Sequence, residues 1–160
     1  GRTDNAQSLA RGIIKRAAAG ATVIVLEGAD QWIDSLNATV DGPAPFVNAR
    51  PVRMSMGRYF MSTSPYFTGL PQAQSMGWEY QFFYKYGSIQ GMNIDPRGAD
   101  YIVAVATAGS PNIPAGLTGV KVGKGRMILT TMCFLDALAS DLPQAAVPKK
   151  LFLNLMEQED

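Results

Sequence analysis

Histidine is absent from all 160 residues. That absence removes the side chain most often used as a general base near neutral pH. The usual Ser-His-Asp and Cys-His arrangements for nucleophilic attack go with it. Cysteine is nearly absent too: Cys133 alone forms no internal disulfide, and one thiol without imidazole gives none of the usual zinc sites. Flanked by Met132 and Phe134, it lacks the small neighbours of a nucleophile elbow and reads as a small buried hydrophobe. Charge is sparse, at 17% of the chain with a net +1. The basic residues form no long run, which argues against a nucleic-acid surface. No apolar run approaches the roughly 20 residues that cross a bilayer. Gly1-Arg2-Thr3-Asp4 opens polar, without the pattern of a signal peptide. A chain opening on Gly1 rather than Met reads as a piece of a longer protein. Metal, cofactor, membrane and nucleic acid are therefore all expected to be missing from its chemistry.

What is present is a core. Hydrophobic residues make up 47%, enough for a single domain over 1–160. Residues 5–19 predict an amphipathic helix, with Leu9, Ile13, Ile14 and Ala17 or Ala18 inward and Arg11, Lys15 and Arg16 outward. Gly20 suits its C-cap. The β-branched run Ala21 to Leu26 suits a strand covered on both faces. Asp30 caps a short helix over 31–37, and the prolines of 41–51 make a loop. Val52 to Ser62 reads as extended or edge strand. Ser64 to Pro71 is turn-rich and pins Tyr66 and Phe67 against the body. Trp78 to Tyr86 alternates with the period of a strand, Trp78, Tyr80, Phe82 and Tyr84 against Glu79, Gln81, Phe83 and Lys85. Ala99 to Ala108 is a further strand. Leu117 to Thr131 is a hairpin turning at Gly123-Lys124-Gly125-Arg126. Helices over 134–140 and 148–157 close the chain, the last with Leu151, Phe152, Leu155 and Met156 inward. Strands alternating with helices, then a hairpin, predict an α/β domain with a mixed sheet.

Several of these stretches carry a family resemblance. The helix–glycine–strand unit Ile13 to Leu26, the segment Ser64-Pro65-Tyr66-Phe67-Thr68-Gly69-Leu70-Pro71 with Met76 to Gln81, the Gly123 hairpin and Leu151-Phe152-Leu153-Asn154-Leu155 together resemble class I glutamine-amidotransferase-like domains. In particular they resemble the accessory domain of bacterial family 2 glycoside hydrolases of the β-galactosidase or β-mannosidase kind. The resemblance spans roughly residues 8–157. It implies a three-layer, mostly parallel, flavodoxin-like sheet. Because the chain opens on a helix, that sheet either lacks its first strand or has fewer strands. Active relatives run the second hairpin strand into a catalytic His and Glu; here it runs into Thr131-Met132-Cys133-Phe134. Ser64 stands where relatives often carry His. The resemblance thus implies a non-catalytic accessory domain of a carbohydrate-degrading enzyme, periplasmic or extracellular with its parent. Its partners would be the parent's other domains or a second copy.

Two further readings stay open on residues alone. Trp78, Glu79 and Tyr80 form a candidate carbohydrate-binding platform within the Trp78–Tyr86 aromatic run, against the alternative that these aromatics are core or interface. Glu27 and Glu79 are the candidate carboxylates for a glycosidase pair, against a strand-end carboxylate that faces water or caps a helix and a polar alternate in a half-exposed strand. The interaction surface is expected to draw on Trp32, Tyr66, Phe67 and Trp78.

Overall fold

In the computed structural model, which describes residues 2–29, 32–37, 50–54, 57–84, 89–95, 97–107 and 113–157, the chain opens with helix α1 (Arg2–Ala18). Its inward stripe runs through Ala10 and Ala17, fully buried, with Ile13 and Ile14 half-buried beside them. Leu9, expected inward, is 53% exposed. The two alanines bring the helix close to the sheet, and the face through them turns Leu9 outward. Gly20 ends the helix at φ 118. The Ala21 N–H donates to Arg16 O at 3.1 Å and the Gly20 N–H to Ala17 O at 2.9 Å, closing a Schellman-type cap.

Strand β1 (Thr22–Val25) runs parallel to β7 (Gly125–Thr130). Ile24 and Leu26 pack against one buried cluster, Val23 and Val25 against a second. That two-sided packing is what an unbroken β-branched run requires. Short helix α2 (Ile33–Asn37) follows. The other strands are β2 (Arg50–Met54), β3 (Gly57–Met61), β4 (Ile89–Asn93), β5 (Ala99–Thr107) and β6 (Ala115–Val122). All seven share one sheet. From β1 the order runs through β7 and β6 to β5 and β3; β4 joins β6 at Met92–Ala115 and carries β2.

The fold is therefore α/β with a mixed sheet, as expected, but it is not mostly parallel. Among the described pairings only β1–β7 is parallel; the other five are antiparallel. Short links account for two of the five. A parallel crossover needs about a dozen residues or more, generally a helix. The stretches joining β5 to β6 and β6 to β7 are both shorter than that.

The β6–β7 hairpin carries the tightest local constraint. Val122 pairs with Gly125, leaving Gly123-Lys124 as the turn. Gly123 has φ 58 and Lys124 has no positive φ, the pattern of a II′-type turn. The turn tucks under the end of α1: the Lys124 N–H donates to Ala18 O at 3.1 Å, and the Arg126 N–H to Ala21 O at 3.2 Å. A Cβ at Gly125 would strike the backbone carbonyls of Ala17 and Ala21. Both glycines are thus explained by close approach of helix and hairpin.

Helices α3 (Phe134–Leu138) and α4 (Ala146–Glu157) pack on the larger cluster through Phe134, Leu151 and Leu155. Met156, expected inward, is 50% exposed. The buried position beside Leu155 belongs instead to Asn154, whose Nδ2 donates to Tyr66 O at 2.7 Å and Thr68 O at 3.0 Å. Those two bonds hold the 64–71 turn against α4. The turn itself starts where the Tyr66 N–H donates to Ser64 Oγ at 3.4 Å. Asp30, residues 41–49 and Lys85-Tyr86, each part of an expected feature, lie outside the described residues.

Candidate functional site

Residues 70–84 are hung on the sheet by polar anchors. The Met76 N–H donates to Tyr59 O and the Met61 N–H to Gln74 O, each at 2.9 Å. The Tyr80 hydroxyl donates to Pro71 O at 2.9 Å, and the Tyr84 hydroxyl to Met76 O at 3.1 Å. Residues Trp78–Tyr84 then form 3-10 turns with a kink at Tyr80, not the strand that their alternation predicts. The reason is tertiary. No described strand pairs with this segment, and the docked positions are Tyr80 and Phe83, three apart, as a 3-10 turn places them. Their rings stack at 6.2 Å, and Phe83 meets Phe134 of α3 at 4.8 Å.

This geometry separates the three expected ligand residues. Trp78 is 82% exposed, the most exposed large hydrophobic among the described residues. Tyr80 is fully buried, and burial together with the Glu79 charge pushes its phenol well above its ordinary pKa. Glu79 lies between, half-buried, its carboxylate folded back over Gly77. Trp78, Glu79 and Tyr80 therefore form no shared platform; Tyr80 is a core residue. The expected interface set divides in the same way. Tyr66 and Phe67 are buried, Trp32 is half-buried, and Trp78 alone stands out.

At Phe82, the turn contributes to an open cavity of about 250 Å³. Its described lining is Gln81, Phe82, Leu142 and Gln144. Leu142 is 61% exposed. None of these four residues carries a charge. Among the described residues no hydrogen bond engages either glutamine side chain, and both residues are exposed. Sequence reading named Phe82 only as one more aromatic and gave no weight to Gln81, Leu142 or Gln144. Their convergence depends on how the 143–145 turn meets the 78–84 turn, and no local pattern announces it.

The carboxylate candidates also resolve. Glu27 follows β1 in a left-handed conformation, φ 55, and its Oε1 accepts the Leu135 N–H at 2.6 Å. It caps the first turn of α3 from 108 positions away in sequence. Cys133 lies just before that turn and is half-buried, less enclosed than the fully buried hydrophobe expected. Among the described residues no three His, Cys, Asp or Glu side chains gather where a metal ion could be held. No described helix is long and apolar enough to cross a membrane.

The chain matches no family model, no curated protein and no solved structure.

Proposed function

We propose that this chain is a non-catalytic accessory domain that works by recognition through the face presented by the 78–84 turn. The observation that carries the reading is Trp78, 82% exposed on a turn whose neighbours Tyr80 and Phe83 are buried. An aromatic held out on so firmly docked a base costs little entropy on binding and suits an interface anchor. The missing imidazole supports the negative half of the reading, as does Glu27, whose carboxylate is engaged in capping α3. The parent we propose is a periplasmic or extracellular bacterial family 2 glycoside hydrolase, on the resemblance set out above. Its other domains, or a second copy, would cover the Trp78 face. The finer fold proposed is a three-layer arrangement, with packing on both faces of the mixed sheet. The two clusters served by alternate residues of β1 support that layering.

Sedimentation across a concentration series tests the recognition face. Self-association, or binding to the parent's remaining domains, is expected to weaken by about tenfold or more in Trp78→Ser, the scale of a buried aromatic anchor. An unchanged constant refutes it. Turnover of an amide or glycoside by the purified chain, abolished by a substitution in its own sequence, refutes the non-catalytic assignment. A carbohydrate ligand is the second reading, and the cavity beside Phe82 favours it.

A further inference from the structure

We propose that the cavity lined by Gln81, Phe82, Leu142 and Gln144 is a subsite for one neutral sugar ring. The proposal deepens the reading of the 78–84 turn as a recognition face and rests on it. A pyranose presents two chemistries at once: an apolar patch of C–H groups and a rim of hydroxyls that both donate and accept. The cavity offers the complement of each. Phe82 and Leu142 give an apolar wall. Gln81 and Gln144 bring primary amides, each with a carbonyl acceptor and two N–H donors, so either can serve a hydroxyl in both directions. Among the described residues nothing engages those amides, and both glutamines are exposed.

Charge and size narrow the class. The described lining holds no cation for a carboxylate or phosphate and no carboxylate for an amine. The volume, about 250 Å³, falls below the roughly 300–1,000 Å³ of sites for drug-sized ligands, which fits one ring rather than a nucleotide or a buried oligosaccharide. Trp78 stands three residues before Gln81 and is open to solvent, available to a neighbouring ring of a longer chain. The amides fix orientation; the aromatic supplies area without selecting a single sugar.

The test is titration calorimetry and saturation-transfer NMR on the intact chain with methyl β-galactoside, methyl β-mannoside and methyl β-glucoside. Galacturonic acid is the charged comparison. At least one neutral glycoside should bind saturably, and galacturonic acid more weakly. Gln81→Ala/Gln144→Ala should weaken that binding by about tenfold or more, the loss expected from one or two neutral hydrogen bonds. Leu142→Arg, at an exposed position, should abolish it by filling the cavity while circular dichroism remains that of the parent. No saturable binding of any glycoside up to about 50 mM, weaker than any useful subsite, overturns the proposal. So does binding that the double variant leaves untouched. If such binding disappears instead in Trp78→Ser, the sugar lies on the tryptophan and the cavity assignment is wrong while the recognition face stands. If no sugar binds but Trp78→Ser weakens self-association, the face is a protein interface only.

Discussion

Replacing Asn154 tests the packing that holds α4 against the 64–71 turn. Its side chain is 3% exposed, and its Nδ2 donates to the carbonyls of Tyr66 and Thr68, 88 and 86 positions away. Asn154→Ala removes both donors. Each neutral bond contributes about 0.5–1.5 kcal/mol net, and a carbonyl left without a donor in the interior costs about 1–3 kcal/mol. The Tyr66 bond is buried and the Thr68 bond only partly so, which puts the larger penalty on Tyr66. The sum is about 2–4 kcal/mol, a large share of the roughly 5–15 kcal/mol that holds a domain folded. Urea unfolding followed by far-ultraviolet circular dichroism should show the midpoint falling with the slope unchanged. Asn154→Asp adds a direction. An ionised carboxylate would face two carbonyls, whereas the protonated acid can donate to one of them. Its folded pKa is therefore raised above the ordinary value near 3.9. A raised folded pKa means that stability is highest below the unfolded value and is lost as pH rises through the folded one. The Asp variant should thus be more stable at pH 4 than at pH 7 relative to Asn. A loss under about 0.5 kcal/mol in Asn154→Ala, within the range of ordinary surface changes, would refute the reasoning.

Four other outcomes follow from the same geometry. Gly125→Ala should cost about 3 kcal/mol, because a Cβ there meets backbone of the α1–β1 junction that cannot yield. Gly119→Ala should cost nearer 1 kcal/mol, because its Cβ displaces only the flexible guanidinium of Arg126 from Asp100 and the Tyr66 ring; equal losses in thermal or urea unfolding would contradict both. Glu27→Ala should lose about 1 kcal/mol with the α3 cap, while Glu27→Gly stays close to the parent, since glycine relieves a left-handed φ costing about 1–2 kcal/mol; an alanine variant as stable as the glycine one would be the wrong order. Burial raises the phenols of Tyr80, Tyr84 and Tyr101 above the ordinary 10.0. A raised folded pKa gives stability present below pH about 10 and lost above it, so melting temperature should fall as pH rises above about 10, and less steeply in Tyr80→Phe.

Legibility in the sequence followed the range of the forces involved. The α1 cap at Gly20, β1, β5 and the Gly123 hairpin were readable because their signals are local: a glycine at a required φ, a β-branched run, a two-residue turn. The inward face of α1 was only partly readable. Leu9 is the more apolar residue, but Ala10 is the one that fits a close helix–sheet approach. Asn154 was invisible for the opposite reason. An asparagine reads as surface until a turn 86 residues away supplies two carbonyls for it. The aromatic run misled because its alternation is real, yet nothing pairs with it. Without a partner strand, two-residue periodicity does not fix a backbone, and the docking of Tyr80 and Phe83 chose the shape.

That choice also bears on where recognition falls. In an α/β sheet, ligands usually gather where parallel strands end. Here the one described parallel pair, β1–β7, ends its register at Val25 and Leu129, with Glu27 and Thr130 just beyond. Glu27 is turned into a strained φ and bonded to the Leu135 N–H of α3, while the Thr130 hydroxyl donates to Gly116 O at 3.1 Å and accepts the Met132 N–H at 3.0 Å. Side chains that could face a ligand there instead stitch the strand ends to the segments that follow. The 78–84 turn shows the reverse: its buried rings are fully engaged, while Trp78, Gln81 and the cavity beside Phe82 keep their contacts open. Groups committed to holding the fold cannot also move protons or grip a substrate without loosening it. The proposed recognition face therefore lies away from the sheet's parallel end, on the aromatic turn at the side where Trp78 is exposed.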